Sequence, residues 1–212
     1  MRIAILGTGS AGRTLAAGLA RAGHEVVVGT RDPAVTGARP EWAEAALPLA
    51  SYAEAAASGE VVVNVLGGLV ALDALDGVRD QLAGKVLVDV ANALDFADGF
   101  PPRLAITDPD SLAEQIQRAH PAARVVKALN TTNADVMVDP AGLGDGDTTI
   151  FLAGDDADAR ATVRELLASL GWRDIVEFEQ LSAARGLEMW MPLWVRLMQV
   201  LGTARFNLKI VR

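Results

Sequence analysis

The sequence of 212 residues contains no cysteine, two histidines and one tyrosine. Without cysteine there are no disulfides and no thiolate metal sites, and two histidines leave little for a histidine-rich metal centre, so no metal is expected. Basic residues number 19 against 27 acidic ones, a formal net charge of -8, with a pI near 4.8. Nucleic-acid binders usually present a basic face, so this balance argues against such a partner. Long apolar runs are missing as well. A membrane span needs about twenty apolar residues, and the most apolar stretch, Ser182 to Gly202, is broken by Glu188, Pro192, Arg196 and Gln199. An apolar segment follows Met1 at once in place of a secretory leader, so the expected location is cytoplasmic.

What is present begins at the first dozen residues. A short apolar run, Arg2 to Leu6, enters Gly7-Thr8-Gly9-Ser10-Ala11-Gly12. Gly7 permits the tight turn out of a strand, Gly9 leaves no side chain between backbone and a pyrophosphate, and Gly12 lets the next helix pack closely on a sheet. The helix starting near Ser10 would offer unpaired N–H groups and its dipole to that anion. An amphipathic segment (Leu15, Leu19) and a second strand, Glu25 to Gly29, complete a dinucleotide-binding unit.

NAD-binding folds usually place an acidic residue at the end of the second strand, on the ribose hydroxyls. Here the sequence is Gly29-Thr30-Arg31-Asp32. Thr30 offers a hydroxyl and Arg31 a charge-assisted pair to a 2′-phosphate, which points to NADP. The competing arrangement is a solvated Arg31 with Asp32 on the ribose. Residues 33–58 form crossover material, with helical propensity from Glu41 to Ala46 and again from Ser51, and a short strand over Leu47 to Ala50. Glu60 to Leu66 and Lys85 to Val90 are β-branched runs of the kind buried in parallel sheets. Ligands lie outside the carboxyl ends of such strands, so Leu66, Gly67, Gly68 and Asn92 are candidates for the nicotinamide half; plain turns are the alternative.

Ser111, with Glu114 three residues on, is expected to cap a helix after the loop Leu94 to Asp110. The strand Ala123 to Leu129 ends at Asn130-Thr131-Thr132-Asn133, where Asn130 and Thr131 are substrate-side candidates and a helix N-cap is the compatible alternative. Lys127 lies within that strand and is expected to be structural. A strand over Thr148 to Gly154, a helix over Ala157 to Leu170 and a last strand over Asp174 to Phe178 follow. The domain division expected is 1–154 for the nucleotide-binding part and 155–212 for a small C-terminal lobe packed on the same core. In the tail, Trp190, Leu193, Trp194, Leu197, Met198 and Leu201 fall on one helical face, a buried helix or the contact of a homodimer.

The glycine loop, Gly29-Thr30-Arg31-Asp32, Val126 to Thr131 and Leu181 to Arg185 together resemble the family of F420-dependent NADP oxidoreductases. The resemblance implies an α/β Rossmann-type, doubly wound, mainly parallel sheet with a short C-terminal helical lobe. It implies Thr8 and the Gly9 to Gly12 backbone on the pyrophosphate, Thr30 and Arg31 on the 2′-phosphate, and a deazaflavin against the nicotinamide. The family carries a basic residue a few positions after Arg31; Val35 is not one, and Arg39 is the candidate. Deazaflavin-using members tend to carry His where this chain has Asn130, and a similar Lys-Ala-Leu-Asn-Thr segment occurs in the NADPH-binding domain of STEAP metalloreductases, which reduce a flavin.

Reducing a carbonyl or imine calls for a proton donor beside the nicotinamide. Tyr52, His24 and His120 are expected to lie away from the cleft. Hydride exchange with a stacked deazaflavin (F420) or flavin asks mainly for positioning. The expected function is therefore an NADP(H)-dependent oxidoreductase with a small-molecule redox partner. A redox-sensing or partner module without turnover, and a small-metabolite reductase, are the alternatives.

Overall fold

The computed structural model describes residues 1–212. Strand β1 (Arg2–Leu6) leads into helix α1 (Ser10–Arg21), whose Leu15, Ala16 and Leu19 are buried, and then β2 (Glu25–Thr30). Two short helices, α2 (Pro33–Gly37) and α3 (Pro40–Ala43), each begin on a proline, whose fixed φ suits a first helical turn. A three-residue strand β3 (Leu49–Ser51) precedes α4 (Tyr52–Ser58), opened by a capping box between Ser51 and Glu54. Strand β4 (Val61–Asn64), helices α5 (Ala71–Asp76) and α6 (Arg79–Leu82), and β5 (Val86–Asp89) come next.

The long loop after β5 contains a small hairpin of β6 (Leu94–Asp95) and β7 (Arg103–Leu104). Ser111 then caps α7 (Leu112–Ala119) by accepting from the Glu114 N–H, as the sequence predicts. Strand β8 (Arg124–Ala128) is followed by α8 (Ala134–Val138), capped by Asn133. Strand β9 (Thr149–Gly154), α9 (Ala157–Ser169, capped by Asp156), β10 (Asp174–Phe178), α10 (Ala184–Met189) and α11 (Met191–Leu201) complete the chain.

Eight strands form one sheet in the order β10-β9-β8-β5-β4-β1-β2-β3. All neighbours are parallel except β8 and β9. Residues 155–178 thus extend the main sheet; α10 and α11 leave it, and the segment after them returns to β9, where the Leu208 carbonyl accepts from the Thr149 N–H at 2.8 Å. Alternate strand residues enter opposite layers: Ile3, Ile5, Val63 and Val88 pack with α1 and α9, whereas Ala4, Leu6, Val62 and Leu87 pack with α4, α5 and α7. Covering both faces explains the continuous β-branched runs in the sequence.

The tail departs from its expected pattern. Met191, Trp194 and Val195 are the buried face of α11, against Leu94 and Leu104 of the hairpin, while Leu193 and Leu201 point to solvent. The hairpin, which the sequence pattern does not announce, selects which side of the helix is covered. No helix is long and apolar enough to cross a membrane.

Candidate functional site

The order of connection reverses at β1, which has β2 on one side and β4 on the other. Such a switch point leaves a crevice at the carboxyl ends of the strands. The Gly7–Gly12 loop sits there. Gly7 has φ +131, and a Cβ on it would lie 2.7 Å from the Val65 carbonyl oxygen. A Cβ on Gly12 would overlap the Gly7 carbonyl oxygen, so this glycine sets the approach of α1 to the loop.

Gly9 differs from both. A Cβ there meets nothing within 4 Å, and Gly9 is the N-cap of α1 without any side-chain cap or acidic residue in the first turn. The first N–H to bond back is that of Arg13, to the Gly9 carbonyl at 3.0 Å. The amides of Ser10, Ala11 and Gly12 are therefore available to an anion in front of Gly9. A pyrophosphate fits this cradle.

A cleft of ≈ 700 Å³ extends from here, with Arg31 and Tyr52 toward β2 and β3 and Leu66 and Gly67 beyond β4. Arg31 is exposed, with its guanidinium free of ion pairs. Thr30 is turned away: it is buried, and its hydroxyl shares a 2.7 Å hydrogen bond with Thr36. Of the expected pair, Arg31 alone faces the cleft, because the alternation of β2 sends the Thr30 side chain into the core. The Asp32 carboxylate accepts from the Val35 N–H at 2.9 Å as the cap of α2. Arg39 opens α3 and is not among the residues lining the cleft. Tyr52 does line it, contrary to the sequence expectation, because β3 pairs with β2 and brings the start of α4 beside Arg31. Its half-burial raises the phenol above its usual range, an effect that Arg31 opposes.

Trp42, not singled out in the sequence, belongs to the core and donates from Nε1 to the Thr8 carbonyl at 3.3 Å. Nothing in the local pattern of residues 33–46 marks this long-range contact.

On the other side, the Leu66 N–H donates to Asn64 Oδ1 at 3.2 Å. Gly68 lies against the loop after β5, and a Cβ on it would overlap the Asn92 carbonyl. Asn92 and Asn130 clasp each other. Asn92 Nδ2 donates to the Asn130 carbonyl at 2.9 Å, and Asn130 Nδ2 donates to Asn92 Oδ1 at 3.0 Å. Asn92 is half-buried, whereas Asn130 and Thr131 are each 2% exposed. The Leu187 carbonyl accepts from Asn130 Nδ2 at 3.0 Å, and Trp190 Nε1 donates to the Thr131 carbonyl at 2.9 Å. The sequence expectation of Asn130 and Thr131 opening toward ligand is corrected: α10 returns over the end of β8 and covers them. The helix cap in this segment is Asn133.

Lys127 is structural, as expected, and wholly buried. Its ammonium pairs with Asp89 at 2.7 Å and Glu188 at 2.9 Å and donates to the Ala91 carbonyl. Burial lowers its proton affinity, but the two carboxylates outweigh that and raise it. His24 bonds Ser169, and His120 is buried beyond α7 with neither ring nitrogen partnered. Neither lines the cleft. No cluster of side chains suits a metal ion.

Comparison with known proteins agrees with this geometry. Residues 2–93 match the family described as NADP oxidoreductase, coenzyme F420-dependent. The F420-dependent NADP reductase of Methanothermobacter marburgensis is 32% identical over 208 residues, covering 93% of this chain and 92% of that protein. The chain belongs to the F420-dependent NADP oxidoreductase family. A putative F420-dependent NADP reductase from Arthrobacter sp. FB24 shares 50% identity over the whole of both chains, with a TM-score of 0.96. Metalloreductase STEAP3 of Rattus norvegicus is 33% identical over 188 residues, but this chain spans only 36% of its length. Family membership and the mainly parallel Rossmann-type sheet both match the expectation from the sequence.

Proposed function

We propose that the protein exchanges hydride between NADP(H) and a deazaflavin (F420) or flavin-like acceptor. The observation that carries this reading is a single cleft joining the open anion cradle at Gly9 to the unpaired Arg31. The amides of Ser10 to Gly12 hold the pyrophosphate, and Arg31 pairs with the 2′-phosphate. Tyr52 lies at the adenosine end, and Leu66, Gly67 and Asn92 receive the nicotinamide half. The nicotinamide, when bound, supplies or accepts the hydride.

The names of the Methanothermobacter and Arthrobacter relatives support F420 as the partner. So does the shortage of proton donors. Tyr52 stands beside Arg31, both histidines lie outside the cleft, and the Lys127 ammonium is sealed in ion pairs. A carbonyl or imine substrate would need a general acid, which neither histidine nor Lys127 can supply, whereas transfer between stacked rings asks the protein chiefly for alignment. Exposed Leu193, Val200 and Leu201 on α11 support a homodimer through the C-terminal segment, a state that light scattering would check.

Purified protein mixed with NADPH and, in turn, F420, FMN and FAD tests the reading. NADPH oxidation with F420 or a flavin is expected. NADPH binding without oxidation by any of them would sink the enzyme reading and leave a binding module.

A further inference from the structure

The two loops assigned to the nicotinamide are joined by a network of hydrogen bonds and ion pairs, buried through its middle, that passes through the backbone of α10. At one end the Leu66 N–H rests on Asn64 Oδ1, and Asn64 Nδ2 donates to Asp89 Oδ1 at 2.7 Å. Asp89 Oδ2 pairs with Lys127, and Lys127 with Glu188 of α10. Leu187, the neighbour of Glu188, accepts from Asn130 through its carbonyl, and Asn130 clasps Asn92 at the other end. Asn64, Asp89 and Lys127 are fully buried, and Glu188 is 1% exposed.

Glu188 also accepts from the N–H groups of Leu112 and Ala113, at 2.8 and 3.2 Å, fixing α10 to the first turn of α7. Just before Asn130, Leu129 holds φ +63, a conformation that a leucine keeps only when its surroundings impose it. A buried ion triad is a poor source of stability, since well-packed apolar residues do as well or better. Its geometric effect is specific: β4, β5, β8 and α10 are locked in one arrangement.

We propose that Lys127 is a positioning residue for the nicotinamide: by tying Asp89 to Glu188 it sets the separation of Leu66 and Asn92 across the cofactor ring. This inference rests on the NADP(H) reading of the cleft. Lys127 touches no cofactor itself. Its loss lets α10 and the strand-end loops shift, and displacement of a reacting group by about 1 Å costs on the order of a hundredfold in rate.

The test uses the full chain with three substitutions: Glu188→Gln, the pair Lys127→Met with Glu188→Gln, and Asn130→Ala, which cuts the chain at an uncharged link. Affinity is measured for 2′-phospho-ADP-ribose, which lacks the nicotinamide, alongside the fluorescence lifetime of bound NADPH, which reports that ring. Unchanged affinity for 2′-phospho-ADP-ribose with a lifetime shortened toward that of free NADPH is expected, together with a kcat loss of about a hundredfold at constant KM for NADPH. A folded variant that keeps the wild-type lifetime and kcat would overturn the inference alone, as would a loss of affinity for 2′-phospho-ADP-ribose as large as the loss measured for NADPH. Wild-type protein that binds neither ligand would remove the cofactor reading and this inference with it.

Discussion

The indole of Trp42 reaches the carbonyl of Thr8, and so a side chain from the crossover after β2 buttresses the glycine loop after β1. Replacing it with phenylalanine removes one hydrogen bond, worth about 1 kcal/mol, while keeping most of the packing. Trp42→Phe is expected to raise KM for NADPH about fivefold with little change in kcat. Trp42→Ala is expected to lower stability by about 3–5 kcal/mol, read from denaturant unfolding.

On the proposed reading, Arg31 is the residue that distinguishes NADP from NAD. A hydrogen bond to a charged group contributes about 1.5–3 kcal/mol, so Arg31→Ala should weaken NADPH binding about 10- to 150-fold. NADH binding should be nearly unaffected. Titration calorimetry with both cofactors decides, and equal losses would count against the assignment.

Gly9 and Gly12 separate binding from folding. Gly9→Val has open space for its side chain and should melt like the wild type while losing both NADPH and NADH. Gly12→Val meets the Gly7 carbonyl and should unfold at lower temperature. A melting curve and a binding isotherm for each variant suffice.

Acid stability follows from Asp174 and His120. Hydrogen bonds from Thr149, then Lys209 and Arg212, hold Asp174 at about 2, below its usual 3.8. Its contribution is complete above 3.8 and disappears as the pH falls toward 2. Burial, followed by Arg79, lowers His120 below its usual 6.5, so the native state disfavours the charged ring and stability declines as the pH falls through 6.5. Melting temperature against pH should show both declines, and Asp174→Asn should flatten the lower one.

Much of this was legible in the residues. The β-branched runs locate the buried strands, and Ser111, Asn133 and Asp156 cap helices through bonds three residues long. The glycine loop is legible because Gly7 and Gly12 answer to local backbone geometry. What escaped depends on contacts distant in sequence. Tyr52 enters the cleft only through the pairing of β3 with β2, and Thr30 is drawn inward by Thr36. Asn130 lies under α10 because the chain folds back from β10 over the end of β8. Lys127 was recognisable as structural, but its partners Asp89 and Glu188 come from two other elements.

The antiparallel joint between β8 and β9 has a consequence for how the protein tolerates change. The turn from β9 into α9 opens on the rim opposite the cleft, as does the exit of β10. Substitutions on that rim lie away from the Gly7–Gly12 loop and the cleft. Around the cleft, a change in the turn after β4 must be matched after β5, where Gly68 and Asn92 meet without room for a methyl group. The two rims of one sheet are thereby free to diverge at different rates.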